Sequence, residues 1–412
     1  MYPMVRPALR RAWRDLQYVQ FGVAPAHAVV VGPVDTTTGS LLELLDGTRG
    51  VARLREEARG LGVPDGWLEA LLNRLARAGL LEDTAAGGRA ADAVRREAEV
   101  LDRLRADLGS LSVVHRGPGE PLRRLAARSG TRVQVRGAGR VGSTIAALLS
   151  AAGVGRVDVL DGGRVEPWDV APGGLPPESV GERRDVAARR LVARSAPGGR
   201  PARAAGGGGA VGGGGAAGGV AGTGGGGGPE PALSLVVVAP RDGLAAYAPD
   251  PVTADAWVGT GTPHLFAGVL EATGVVGPLV LPGESACARC VELGRVDADP
   301  AWPRLMAQWR SGRRSGAVPT GDVGLTAAVA GLTAAHALAF LDGGVPASAG
   351  VRWEVSSPLL EWRALRVRPH GECPCGAEER TGWEEDQAGW EEDQADRERA
   401  SGVRAGQDTM AG

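Results

Sequence analysis

The chain is 412 residues long and 43% hydrophobic, enough for two or three domains with sizeable cores. Its net charge of −2 gives no electrostatic case for nucleic acid or an acidic membrane surface as a partner. All 46 basic residues are arginine and the one asparagine is Asn73, which excludes chemistry that needs a lysine, or an asparagine anywhere else.

The opening MYPMVRPALRRAW is basic but has no apolar run behind it, so no secretory signal is expected and a cytoplasmic protein is. Leu16 to Val23 and Ala26 to Val34 are β-prone runs with a short Ala-Pro break, which predicts a hairpin. Thr36 to Ser40 offers cap residues before a leucine-rich helix that Gly47 ends, and a second helix is predicted from Val51 to about Arg59. A third begins near Pro64; Leu68, Leu71, Leu72 and Leu75 share one face, and Gly79 stops it. Two strands and three helices make residues 1–85 a small winged-helix-like module. Residues 86–130 are Arg-rich, and Val100, Leu101, Leu104 and Leu108 predict a connecting helix.

A strand, Val133-Gln134-Val135-Arg136, then runs into Gly137-Ala138-Gly139-Arg140-Val141-Gly142. Ile145, Ala146, Leu148 and Leu149 continue as a helix, and a second strand from Arg156 to Leu160 ends at Asp161. In this setting GxGxxG has a physical meaning. Gly137 permits the tight turn, Gly139 lets backbone N–H groups approach phosphate, and Gly142 permits close packing of helix on strand. The helix N-terminus favours an anion, and Asp161 stands where a carboxylate accepts hydrogen bonds from a ribose. A nucleotide-binding α/β domain is therefore expected over residues 131–376.

Gly198 to Glu230 is nearly all Gly and Ala and is expected to be a disordered insertion, because it cannot bury enough apolar surface to offset its ordering entropy. His264 sits at a strand start and reads as structural; Trp302 and Trp309 have helical spacing and read as packing. Arg310, Arg313 and Arg314 form a basic loop. The apolar run from Gly324 to Leu341, with Thr326, Thr333 and His336 inside it, reads as a buried helix and not a membrane span. The tail after Gly376 repeats GWEEDQA and is expected to be a disordered acidic segment. The only four cysteines are Cys287, Cys290, Cys373 and Cys375, in CARC and CPC. Two close pairs of thiolates suit a tetrahedral structural zinc site, and His370 reads as a bystander.

From Val133 to Leu191 the sequence resembles the ThiF/MoeB/HesA family, bacterial relatives of ubiquitin-activating enzymes. The resemblance rests on Gly137, Gly139, Gly142 and Ser143 in the loop, on Ala152-Gly153-Val154-Gly155, on Asp161, and on Val165-Glu166. It continues through LVVVAPRDG, which places Asp242 at the family's aspartate near metal and phosphates, and into the four cysteines. The chain departs from the family pattern where the second aspartate becomes Gly163, the asparagine Asp169, the following arginine Pro172 and the GxxK lysine Arg184. Arg136, Arg140 and Arg164 lie close by in sequence.

The resemblance implies a ThiF-type Rossmann-like domain with ATP, Mg2+ and Zn2+ as cofactors, and a homodimer. It implies that Asp161 holds ribose, the Gly137–Ser143 loop the phosphates, Asp242 the magnesium and Arg184 the polyphosphate charge. With all four cysteines at the metal, none is left for a thioester. The activity implied is adenylation of the C-terminal carboxylate of a precursor peptide or small carrier protein. The N-terminal module resembles PqqD-like units that bind leader peptides, and that pairing resembles the partner proteins of YcaO-type cyclodehydratases. This implies the alternative, a non-catalytic protein that presents a precursor peptide to a separate modifying enzyme.

Overall fold

The computed structural model describes residues 1–199, 232–311 and 320–378. All but the first two residues of the glycine-rich stretch, Arg313 and Arg314, and the tail from residue 379 lie outside the described residues.

Short strands open the chain: β1 (Pro3–Val5), β2 (Arg11–Trp13), β3 (Val19–Phe21) and β4 (Val29–Val31). Three helices and a strand follow: α1 (Thr36–Leu44), α2 (Val51–Gly60), α3 (Trp67–Arg77) and β5 (Leu81–Asp83). The carboxylate of Asp35 accepts the Thr38 N–H at 2.7 Å and so starts α1. Leu68, Leu71, Leu72 and Leu75 on one face of α3 meet Val19, Phe21, Leu41 and Leu54 in a buried core. Where the sequence predicts a two-stranded hairpin, the structure has a three-stranded antiparallel sheet, β2-β3-β4, and a separate pair, β1-β5. All three residues of β2 are exposed, so no alternating apolar signal marks it.

The single connecting helix expected next is four helices: α4 (Gly88–Arg96), α5 (Ala98–Arg103), α6 (Arg105–Val114) and α7 (Glu120–Arg128). Glu97 and Leu104 leave helical geometry between them. Ala91, Leu104, Leu111, Leu122 and Leu125 form their shared core. Residues 1–127 make one compact unit, and a second begins at Arg128.

The second unit is a mixed α/β fold. Its elements are β6 (Arg132–Arg136), α8 (Arg140–Ala151), β7 (Arg156–Leu160), α9 (Arg184–Ser195) and β8 (Leu235–Val238). Next come α10 (Leu244–Tyr247), α11 (Pro251–Gly259), β9 (His264–Leu270) and β10 (Thr273–Val280). The unit closes with α12 (Ala288–Ala298), α13 (Trp302–Arg310), α14 (Val323–Leu341), β11 (Val351–Ser356) and β12 (Trp362–Arg366). Seven strands form one sheet in the order β12-β11-β10-β9-β8-β6-β7. β6 to β9 are parallel, and β10 to β12 continue antiparallel.

α14 is long and apolar enough to cross a membrane. In the fold it packs against α8 and lies on β9 and β10, with Leu325, Val329, Ala330, Thr333 and Ala337 buried. Asp342, just past its end, makes a buried two-point ion pair with Arg128, 2.8 Å at each contact. Trp302 and Trp309 stack edge to face at 5.8 Å, as their spacing predicts.

Candidate functional site

β6 has β7 on one side and β8 on the other, so the chain reverses its direction of travel across the sheet at β6. A crevice at the carboxyl ends of such strands is where open α/β sheets bind ligands. The glycine loop lies there. Gly137 takes φ +109°, and a Cβ on it would stand 2.0 Å from the Ala239 carbonyl oxygen at the end of β8. A Cβ on Gly142 would stand 2.1 Å from the Gly137 carbonyl oxygen. Both positions therefore require glycine. Gly139 is the N-cap of α8 and makes no side-chain cap, the arrangement that lets a helix N-terminus take an anion. Ser143 is fully buried, and its hydroxyl donates back to the Gly139 carbonyl at 2.8 Å.

Asp161 follows β7 and faces the loop directly. One carboxylate oxygen accepts the Ala138 N–H at 2.9 Å. The other accepts the Gly163 N–H and Arg184 Nε, each at 2.9 Å. Arg184 is delivered by backbone pairing: Arg184 N donates to the Gly163 carbonyl at 2.9 Å and Val165 N to that of Glu182 at 2.8 Å. The candidate ribose ligand and the candidate phosphate cation are thus in contact with each other. Asp242 sits on the loop leaving β8, exposed, its carboxylate accepting the Leu244 N–H at 3.2 Å.

Asp169, which the sequence marks only as a departure from the family pattern, and Arg241, which it does not mark, complete the cluster. Asp169 is buried; it accepts from Arg184 Nη1 at 3.4 Å, from Arg241 Nε at 2.6 Å and from its neighbour's Glu166 N–H at 2.9 Å. Burial pushes its carboxyl up to about 6, against the opposing pull of Arg184. Arg241 also pairs with Glu166 and lies over the Trp168 ring, 5.6 Å from its centre. Its side chain crosses the loop, with Cγ 3.1 Å from where a Gly139 Cβ would be. Desolvation lowers the Arg241 pKa. Of the three arginines near in sequence, Arg140 donates to the Gly321 carbonyl, Arg164 to that of Gly181, and Arg136 lies over Trp257.

The four cysteines converge in a separate place. Cys287 and Cys290, at the start of α12, meet Cys373 and Cys375 beside a core of Val236, Trp257, Phe266 and Val280. Their Sγ atoms are 3.9, 3.5 and 3.6 Å apart along the pairs 287–290, 287–373 and 290–375. All four lie within 4.8 Å of one another. Tetrahedral zinc with Zn–S bonds of about 2.3 Å needs sulfur–sulfur edges of about 3.8 Å, so the donors fit that ion. The His370 N–H donates to Cys290 Sγ at 3.4 Å while its ring meets Asp297 at 2.8 Å, a supporting place and not a ligand's. His264, fully buried between Trp257 and Phe266, has its pKa pushed down to about 4 by burial, in keeping with a structural role.

Residues 120–200, which span the loop, Asp161, Asp169 and Arg184, match the ThiF family. The chain carries a ThiF-family segment. Solved structures agree over a much longer stretch. The crystal structure of E. coli MccB superposes with a TM-score of 0.62 at 14% identity, over 92% of this chain and 98% of that one. The microcin C7 biosynthetic enzyme MccB in complex with N-formylated MccA gives a TM-score of 0.62 at 13% identity, over 92% and 100%. PaaA gives a TM-score of 0.59 at 13% identity, over 87% and 98%. At such identities the likeness is one of fold. No curated protein sequence matches the chain significantly.

Proposed function

We propose that this protein is an ATP-dependent adenylyltransferase that activates the C-terminal carboxylate of a peptide or small protein. The observation that carries the reading is the Asp161 carboxylate, bound at once to the glycine-loop N–H of Ala138 and to Arg184, beside an uncapped helix N-terminus. One anion-binding helix end, one carboxylate for a ribose and one guanidinium for phosphate are the groups this chemistry needs in one crevice. MccB has been solved with ATP and with N-formylated MccA, which supports a nucleotide and a precursor peptide as the ligands.

In this reading the substrate carboxylate attacks the α-phosphorus and pyrophosphate leaves. The α8 N-terminus and the Arg184 and Arg241 guanidiniums stabilise charge on the phosphates, and Asp242 holds the magnesium. The four cysteines hold zinc and do no chemistry. A homodimer goes with the reading and is tested by light scattering. Titrating ATP with magnesium into the full chain by calorimetry should give saturable binding that Asp161→Ala removes. With the right peptide, Asp242→Ala should abolish ATP-dependent pyrophosphate exchange. Exchange that survives this substitution sinks the assignment of Asp242, and a folded chain that binds no ATP sinks the activity.

The second reading, a peptide-presenting partner without catalysis, is favoured by the N-terminal sheet. Among the described residues its outer strands β2 and β4 each pair on one side only, and Trp13 and Tyr18 are exposed beside them, as strand addition by a peptide needs. A winged-helix, PqqD-like role for that sheet belongs to this proposal. Peptide binding by a chain that binds no ATP would favour it.

A further inference from the structure

The guanidinium of Arg184 stands where a side chain at position 163 would be. A Cβ on Gly163 would lie 2.1 Å from Arg184 Nη2, 2.6 Å from Cζ and 2.9 Å from Nη1. The two residues are also joined through the backbone, Arg184 N to the Gly163 carbonyl, so the arginine starts beside the glycine and folds back over it. From there its Nε reaches Asp161, and its Nη1 reaches both Asp169 and the Arg164 carbonyl. Arg184 and Asp161 are both largely buried, and Asp169 almost wholly so.

We propose that Gly163 is a positioning residue of the nucleotide site: its missing side chain lets the Arg184 guanidinium cross from α9 and stand between Asp161 and Asp169 as the cation for the polyphosphate. The ligand in this statement rests on the adenylation reading; the pairing of the two positions rests on geometry alone. An ammonium on a thin stem leaves room for a side chain at 163, whereas a planar guanidinium does not. Asp169 meets the same guanidinium at 3.4 Å and that of Arg241 at 2.6 Å. Gly163, Arg184 and Asp169, each a departure from the family pattern, thus fit one another as a single arrangement, unlike substitutions gathered in a decaying site.

The atoms that a Cβ would meet are the end of a flexible side chain, so Gly163→Ala should leave the fold intact and turn the guanidinium away. Four full-length proteins test this: the unaltered chain, Gly163→Ala, Arg184→Lys and the double variant. By calorimetry with ATP and magnesium, Gly163→Ala should weaken binding about tenfold, the loss of one charged hydrogen-bonded contact. In the Arg184→Lys background the same change should cost less than about twofold, because the space is free. A silent Gly163→Ala, or an equal loss in both backgrounds, overturns the proposal. Thermal unfolding of the same four proteins reports on the pair without nucleotide. If the unaltered chain binds no ATP, the adenylation reading and the polyphosphate role fall together. Non-additive shifts in Tm would then still support the Gly163–Arg184 unit, and additive shifts would overturn it.

Discussion

Asp169 shows how charge is arranged around the crevice. Its carboxylate touches two guanidiniums, yet burial pushes its pKa up to about 6. Because the folded value lies above the ordinary carboxylate range, burial favours the protonated form. That contribution to stability is complete below about pH 4 and is lost as the pH rises through about 6. Asp169→Asn keeps an acceptor oxygen without the charge. Removing the titrating charge should shift the difference in stability between variant and unaltered chain in the variant's favour as the pH rises from 5 to 7. Thermal unfolding at the two pH values checks this; a difference in Tm that does not change with pH would mean that the carboxyl is ionised throughout. Arg241 did not stand out in the sequence, and Asp169 did so only as a departure from the family pattern. In a chain with 46 arginines and no lysine, no single arginine is conspicuous, and the bond from Arg241 to Asp169 spans 72 residues. The steric need for glycine at 137 and 142 and the place of Asp161 beside the loop were legible, because they are local to one strand–loop–helix turn and the strand after it.

Among the elements of the first unit, α1 to α3 were legible from leucine spacing and cap residues, α4 to α7 were read as one helix, and the sheet was only half legible. β1 pairs with β5 across most of the unit, and nothing in either three-residue run announces a partner that distant. The same non-local closure determines where the unit can be cut. Arg6 is fully buried and donates to the carbonyls of Gly79, Leu81, Ser112 and Arg116, and to the Glu82 carboxylate. Two of these acceptors lie beyond residue 85. A fragment of residues 1–85 would lose two of the five acceptors and the Val113 side chain that packs on the core, and would open the Arg6 guanidinium to water. A fragment of residues 1–127 keeps every acceptor. The longer fragment should fold and the shorter one should not, as circular dichroism and the cooperativity of urea unfolding would show. A cooperatively folded 1–85 fragment would mean that the helices after β5 are dispensable. Peptide-binding assays on the N-terminal unit therefore belong on the longer fragment.

At the scale of the whole molecule, the seven-stranded sheet and the sulfur cluster tie distant parts of the chain together. The cysteine spacing gave the metal-binding expectation, and the structure brings the four sulfurs to distances that suit zinc. One zinc per chain is expected by metal analysis, and Cys287→Ser with Cys373→Ser should abolish it. Retention of a full equivalent by that variant would move the metal elsewhere. The clamp has one more consequence. Cys290 and Cys373 bracket α13, α14, β11 and β12, so a metal held by the four thiolates closes that whole stretch into a ring. A protease that nicks the ring anywhere between the two cysteines would yield two polypeptides on a denaturing gel. In native solution these two pieces would still migrate as a single particle, held by the metal and, for a nick before α14, by the packing of α14 and β11 on the rest of the sheet, so that parting them would take a chelator and a denaturant together.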